Sequence, residues 1–500
     1  MEALTSLMTG FGIALRPENL LFALLGCVIG QMVGVLPGIG PIAGMAILLP
    51  LTFHLDATGA IIMLSAIYYG AMYGGTITTV LMNVPGEGAS AVTAIDGYQM
   101  ARQGRAGAAL AIAAIGSFIG GTIATMALVV AAPPLARVAL SFGAPEFFAL
   151  MVLALCLVVS LSGGSVVMAL ISGLVGLALS IPGTDIVDGT PRMTFGANDL
   201  LDGIGFVPVI MGLFGIGEIL YNAESEIRQV FETKVTSLWL TAKEIRDSVW
   251  PIIRGTAIGL FMGLIPGVGT IVPTIASYAV ERRVSKHPER FGTGAIEGVA
   301  GPETTNNAYA NAAMIPLFTL GVPASPTIAV LLGAFMMNGL TPGPFLFREK
   351  PDFVWAIIAS LYIGNLILVV LNLPLVGLWV SVLKIPYSIL FPLVLAFTVV
   401  GSYTVSHSLF DVGVLIVFGV LGYVFKKLDF PVAPIAFTLI LGPLTEKALR
   451  QSLSMSGGDL AILTRGPMAT GLLLIAALVV LVPLVSSLRQ AMLRWRGAGL

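Results

Sequence analysis

Apolar runs long enough to cross a bilayer recur from one end of this 500-residue sequence to the other. A spanning helix needs about 20 predominantly apolar residues. Stretches such as TGLLLIAALVVLVPLV (Thr470 to Val485) supply them without the alternation of a transmembrane barrel strand. The composition agrees: 57 % of residues are hydrophobic and 10 % charged, against about 25 % charged in soluble domains. The sequence predicts an all-α polytopic integral membrane protein of about 10–12 hydrophobic elements, several too short or too interrupted to be plain spans.

The same composition excludes much. A net charge of −1, with no basic tail, gives no footprint for nucleic acid. Cys27 and Cys156 lie in apolar runs and read as small buried hydrophobes. His54, His287 and His407 are scattered, with no HExxH or CxxC, so no transition-metal site or organic cofactor is expected. The N-terminal stretch lacks the basic region of a cleaved leader.

Residues 222–250 are the most polar stretch and read as an interfacial linker between a first membrane half, 1–221, and a second, 251–500. The halves look related. GVLPGIGPIAG (Gly34 to Gly44) is matched by GLIPGVGTIVP (Gly263 to Pro273) at an offset of 229, and MNVPGEGAS (Met82 to Ser90) by TLGVPASPT (Thr319 to Thr327) at 238. Two ordered echoes at nearly equal spacing argue for duplication; whether the halves are parallel or inverted depends on the parity of spans and stays open.

These echoes are also the candidate site. Freed backbone groups are tolerated at membrane depth only against protein or a water-filled cavity. Pro37, Gly38 and Gly40, with Pro266, Gly267, Gly269 and Thr270, would interrupt two helices. The interruptions would present half-helix dipoles and unwound carbonyls to an anionic substrate and a cation. Asn83, Pro85, Gly86 and Ser90, with Pro323, Ser325 and Thr327, read as the tips of two hairpins whose oxygens suit Na⁺; Glu87 argues that one tip meets water. The densest polar cluster in an apolar region, Glu297 to Pro316, contributes Glu303, Thr304, Asn306 and Asn307, because intramembrane carboxylates and amides are costly and mark function. Asp185, Asp188 and Arg192 read as a loop, and Asp411 beside His407 as either an intramembrane residue or a helix end.

GVLPGIG, GLIPGVG and GPETTNNAYANAAMIPLFTLGVPAS, together with the length, closely resemble the large membrane subunit of the tripartite tricarboxylate transporter family over essentially the whole chain. The resemblance implies a bacterial inner-membrane secondary transporter for tricarboxylates or related organic acids. It also implies Na⁺ or H⁺ coupling, a small four-helix membrane subunit and a periplasmic solute-binding protein. A carboxylate transporter of another broken-helix family working without a binding protein, or an ion channel, are the alternatives. An intramembrane serine hydrolase built on Ser90 and His407 lacks the final glycine of a GxSxG elbow, so an enzyme is not expected. The basic Glu281–Arg290 loop, Lys426–Lys427 and the Arg489, Arg494 and Arg496 tail predict that these segments, the C-terminus included, are cytoplasmic.

Overall fold

The computed structural model describes residues 2–36, 38–161, 165–185, 188–224, 237–383, 385 and 387–497, with side chains 2, 387 and 486–497 outside the description. Pro37 and part of the expected linker, 225–236, lie outside the described residues, as do the side chains of Arg489, Arg494 and Arg496. Among the described residues nine helices are long and apolar enough to cross a membrane, and four shorter apolar helices accompany them. Strand structure among them is one antiparallel ladder, Gly183–Thr184 with Pro191–Arg192. The chain is therefore an all-α, multi-pass membrane protein. Asp185 and Arg192, expected in a loop, lie at that ladder, where Arg192 pairs with Glu446 at 2.6 Å and Arg450 with Asp185 at 2.8 Å.

Two helix pairs build the centre. Along Pro17–Val35, glycines recur every four residues and bring the helix against Ala57–Met82. A Cβ added at Gly26, Gly30 or Gly34 would stand 2.5, 2.4 or 2.2 Å from the carbonyl oxygens of Met63, Ile67 and Ala71. Small residues permit this backbone approach where lipid gives helices no hydrophobic reason to associate. The arrangement is repeated by Ala242–Gly263 on Glu297–Ala312. There Gly255, Gly259 and Gly263 would meet the carbonyls of Gly301, Thr305 and Tyr309 at 2.5, 2.6 and 3.0 Å. The glycines recur at the offset of 229 and their partners at 238, the two spacings seen in the motifs.

In each pair the contacts advance together, so the two helices run parallel. The chain between them returns to its starting side, through Gly40–Leu48 and Leu49–Thr52 in the first half and Ile271–Val284 in the second. Across the halves the order reverses. Tyr68 lies beside Tyr309, Thr76 meets Glu303, and Val80 and Val299 flank Gly97. Ala57–Met82 and Glu297–Ala312 are thus antiparallel, and the related halves point in opposite directions.

The second half begins earlier than its apolar run. Ala242–Gly263 starts inside the stretch expected as linker, with a capping box between Thr241 and Glu244. Its first turns carry Lys243, Glu244, Arg246 and Asp247, which hide them from a hydrophobicity reading, although T-x-x-E is a helix-start signal.

Candidate functional site

Both glycine-proline stretches interrupt helices in the same way. Pro17–Val35 ends, the chain passes Gly38 (φ +89°) and Gly40 (φ +65°), and Gly40–Leu48 begins. In the second half Ala242–Gly263 ends, Gly267 and Gly269 take φ +80° and +69°, and Ile271–Val284 follows. This left-handed region is open to glycine at little cost. Asn222 donates from Nδ2 to the Gly38 carbonyl at 2.8 Å, and the Gly267 N–H donates to the Ala324 carbonyl at 3.1 Å.

The second pair of motifs also shares one geometry. Asn83 and Gly321 are left-handed caps, at φ 58°, ψ 27° and φ 70°, ψ 21°. Four residues on, Glu87 and Ser325 are extended, at φ −144°, ψ 161° and φ −145°, ψ 163°. The second of these segments is buried from Gly321 to Ser325, and in the first Gly86 and Glu87 are buried between exposed Pro85 and Gly88. Each segment folds back on the helix before it: Gly86 packs between Gly34 and Gly75, and the Tyr309 hydroxyl donates to the Ala324 carbonyl at 2.9 Å. Glu87, expected at a wet tip, is 5 % exposed. Gly86, which reads as part of a turn, instead lets the backbone approach Gly34 and Gly75.

A cavity of about 700 Å³ gathers the four segments. It is lined by Gly38 and Gly40, Pro85 to Gly88, Gly267 to Thr270, and Ser325 to Thr327. Pro266 and Pro323 flank it in sequence. Asn83 is exposed and outside it, and its left-handed backbone accounts for the residue. Asn83→Gly is therefore expected to keep stability and transport, whereas Asn83→Val should cost about 1–2 kcal/mol; thermal unfolding of both variants checks this. Ser90 lies behind the wall, its hydroxyl bonded to Thr79 at 2.8 Å and to the Glu87 carbonyl at 3.0 Å. No bond joins Ser90 to His407, which precedes Leu409–Lys427 near Asp411 in that helix's first turn.

The polar cluster forms one helix, Glu297–Ala312, buried from Gly298 to its end. Thr76 and Thr93 donate to the two carboxylate oxygens of Glu303 at 2.6 and 2.5 Å. Asn306 donates from Nδ2 to Glu87 Oε1 at 2.5 Å, and Asn307 from Nδ2 to Ser117 Oγ at 2.7 Å. Thr304 points elsewhere, bonding the Ala300 carbonyl at 2.7 Å beside Gly116 and Gly120. Among the described residues no ion pair reaches Glu87 or Glu303, while Glu87 Oε2, Asn306 Oδ1 and Asn307 Oδ1 are buried without a hydrogen-bond partner. The structure thus brings together Asn306 and the four cavity segments through Glu87, which the sequence reading missed, as it did Tyr68, Thr76, Thr93 and Asn222. The 238-residue offset that aligns Glu87 with Ser325 could have found it.

Paired helix interruptions, a shared cavity and oppositely directed halves define a class: multi-pass membrane proteins organised as transporters are. Sequence comparison places the chain within it. The chain belongs to the tripartite tricarboxylate transporter TctA family, whose model matches residues 20–437. It is 50 % identical over 491 residues, 98 % of each chain, to a protein of Agrobacterium vitis described as an uncharacterized 52.8 kDa protein in the TAR-I ttuC' 3' region. A second protein of that organism, from the TAR-II ttuC' 3' region, is 47 % identical over 232 residues, 46 % of this chain and 96 % of its own. No solved structure matches the chain.

Proposed function

We propose that this chain is the transport-path subunit of a cation-coupled, tripartite uptake system for tricarboxylates or related organic acids in the bacterial inner membrane. The observation that carries the reading is the single cavity on which both helix interruptions and both fold-back segments converge. Unwound carbonyls and half-helix ends at the centre of an inverted repeat are suited to an anion and its coupling cation. Returning each interrupted helix to its starting side makes the segments re-entrant, and exchange of the two halves' shapes would expose the cavity to either face.

A small four-helix subunit and a periplasmic solute-binding protein complete the system, the latter delivering the carboxylate. Orientation follows from charge. Arg105 pairs with Glu244 at 2.7 Å, and Gln103 donates to the Thr293 carbonyl at 2.7 Å. That end also carries Lys243, Arg246, Arg282, Arg283, Lys286 and Arg290, which supports a cytoplasmic position. The C-terminus is assigned to the same side from its arginines.

The test is uptake of labelled organic acids into proteoliposomes holding the chain and both partners, under an imposed Na⁺ or proton gradient. Uptake is expected to need a cation gradient and the binding protein, and to fall at least about tenfold in Asn306→Ala/Asn307→Ala, because each change strands buried partners. Flux that persists without the binding protein and without saturation would make the chain a channel.

A further inference from the structure

We propose that Glu87 and Asn306 together bind the coupling ion as a sodium site, with Glu303 standing behind it as a support rather than a ligand. This rests on the transport reading above and names where its cation sits.

Two buried carboxylates compete for the role, and their surroundings separate them. Glu303 has a donor on each oxygen, Thr76 at 2.6 Å and Thr93 at 2.5 Å. Its coordination is closed by the protein. Glu87 has a donor on one oxygen only, and Oε2 is left bare. A carboxylate is an acceptor, so Asn306 must turn its Nδ2 towards it, and this leaves the amide oxygen bare as well. Glu87 is 5 % and Asn306 1 % exposed, so bulk water does not complete either oxygen, yet Glu87 lines the cavity. An uncompensated buried carboxylate is costly, and no cationic side chain pairs with it among the described residues. One negative charge and one neutral oxygen, supplied by opposite halves beside unwound backbone, form a hard-oxygen donor set.

The internal repeat provides a comparison within the same molecule. At the 238-residue offset the counterparts of Glu87 and Asn306 are Ser325 and Tyr68. Ser325 shares the backbone conformation of Glu87 but accepts from the Ile328 N–H and caps its helix. Glu87 makes no such cap. The counterpart of Glu303 is Ser65. Duplication thus left one corner acidic and the other neutral, so the cation site is single and the neutral corner remains able to face an anion.

The test is thermal unfolding of the purified full chain in NaCl against choline chloride at equal ionic strength, run beside uptake in proteoliposomes with both partners. Wild type is expected to be protected by Na⁺. Glu87→Gln, which keeps an acceptor for Asn306, should lose that protection, while Glu303→Gln retains it. Glu87→Asp keeps the charge on a shorter arm and should raise the half-protecting Na⁺ concentration by about tenfold or more. Full Na⁺ protection in Glu87→Gln, or loss in Glu303→Gln alone, overturns the assignment while leaving cation-driven transport intact. A wild type that Na⁺ does not protect overturns the sodium site even if uptake runs on protons. Uptake indifferent to every cation gradient removes the transport reading itself.

Discussion

Leucine at Gly30 or at Gly259 is expected to abolish the folded protein, and to equal degree. The Cβ alone would lie 2.4 Å from the Ile67 carbonyl oxygen or 2.6 Å from that of Thr305. Both obstacles are main chain within a helix, so no rotamer change relieves them. Overpacking that side chains can absorb costs about 1–3 kcal/mol; here two helices must separate, which places the cost above about 3 kcal/mol, a large share of ordinary stability. Gly12→Leu is the control, since nothing stands within 4 Å of its Cβ. The monodisperse fraction in detergent and the unfolding temperature are the readouts. A Gly30→Leu or Gly259→Leu protein that is monodisperse and melts like wild type would mean the paired helices are not held by close backbone contact.

Asp96→Ala is expected to be nearly as damaging, and Asp96→Asn mild. One Asp96 oxygen accepts the N–H groups of Gly292, Gly294 and Ala295, each at 2.8 Å, and the other accepts from the Tyr278 hydroxyl at 2.8 Å. The carboxylate thereby holds the loop leading into Glu297–Ala312, the helix that carries Glu303 and Asn306. Alanine strands several buried donors, at about 1–3 kcal/mol apiece, for a loss of about 3 kcal/mol or more. Asparagine can keep its oxygen on the three amides and turn its amide to the tyrosine oxygen. Hydrogen exchange at 292–295, with thermal unfolding, tests the pair: fast exchange in both variants would show that charge, not acceptor geometry, holds the loop.

The parts of this architecture legible in the sequence are those where one residue type meets a strict local demand. Gly38, Gly40, Gly267 and Gly269 announce the interruptions because positive φ and proline neighbours leave few alternatives. The offset of 229 survives because a glycine stripe fails if any member grows. Glu303, Asn306 and Asn307 stand out against an apolar background. What was illegible depends on distant partners. Gly86-Glu87-Gly88 has the composition of a wet turn, and the burial of Gly86 and Glu87 comes from packing on Gly34 and Gly75. Gln31 and Asn372 exchange hydrogen bonds at 2.8 and 3.0 Å, and Tyr73 bonds Asn365 at 2.6 Å; each is a lone polar residue in an apolar run until its partner arrives. The opposed direction of the halves was hidden too, because it turns on short helices whose sense of travel no hydrophobic window records.

The opposed halves carry a thermodynamic consequence. If each half can take up the shape of the other, the two forms of the molecule facing opposite sides are built from the same set of contacts, and their free energies differ only where the halves differ in sequence. A near-degenerate pair of states needs little work to interconvert and can be tipped by a small ligand-dependent term. A charged residue in one half where its counterpart is neutral is the kind of difference that sets the resting bias, and an ion that neutralises it would reset that bias.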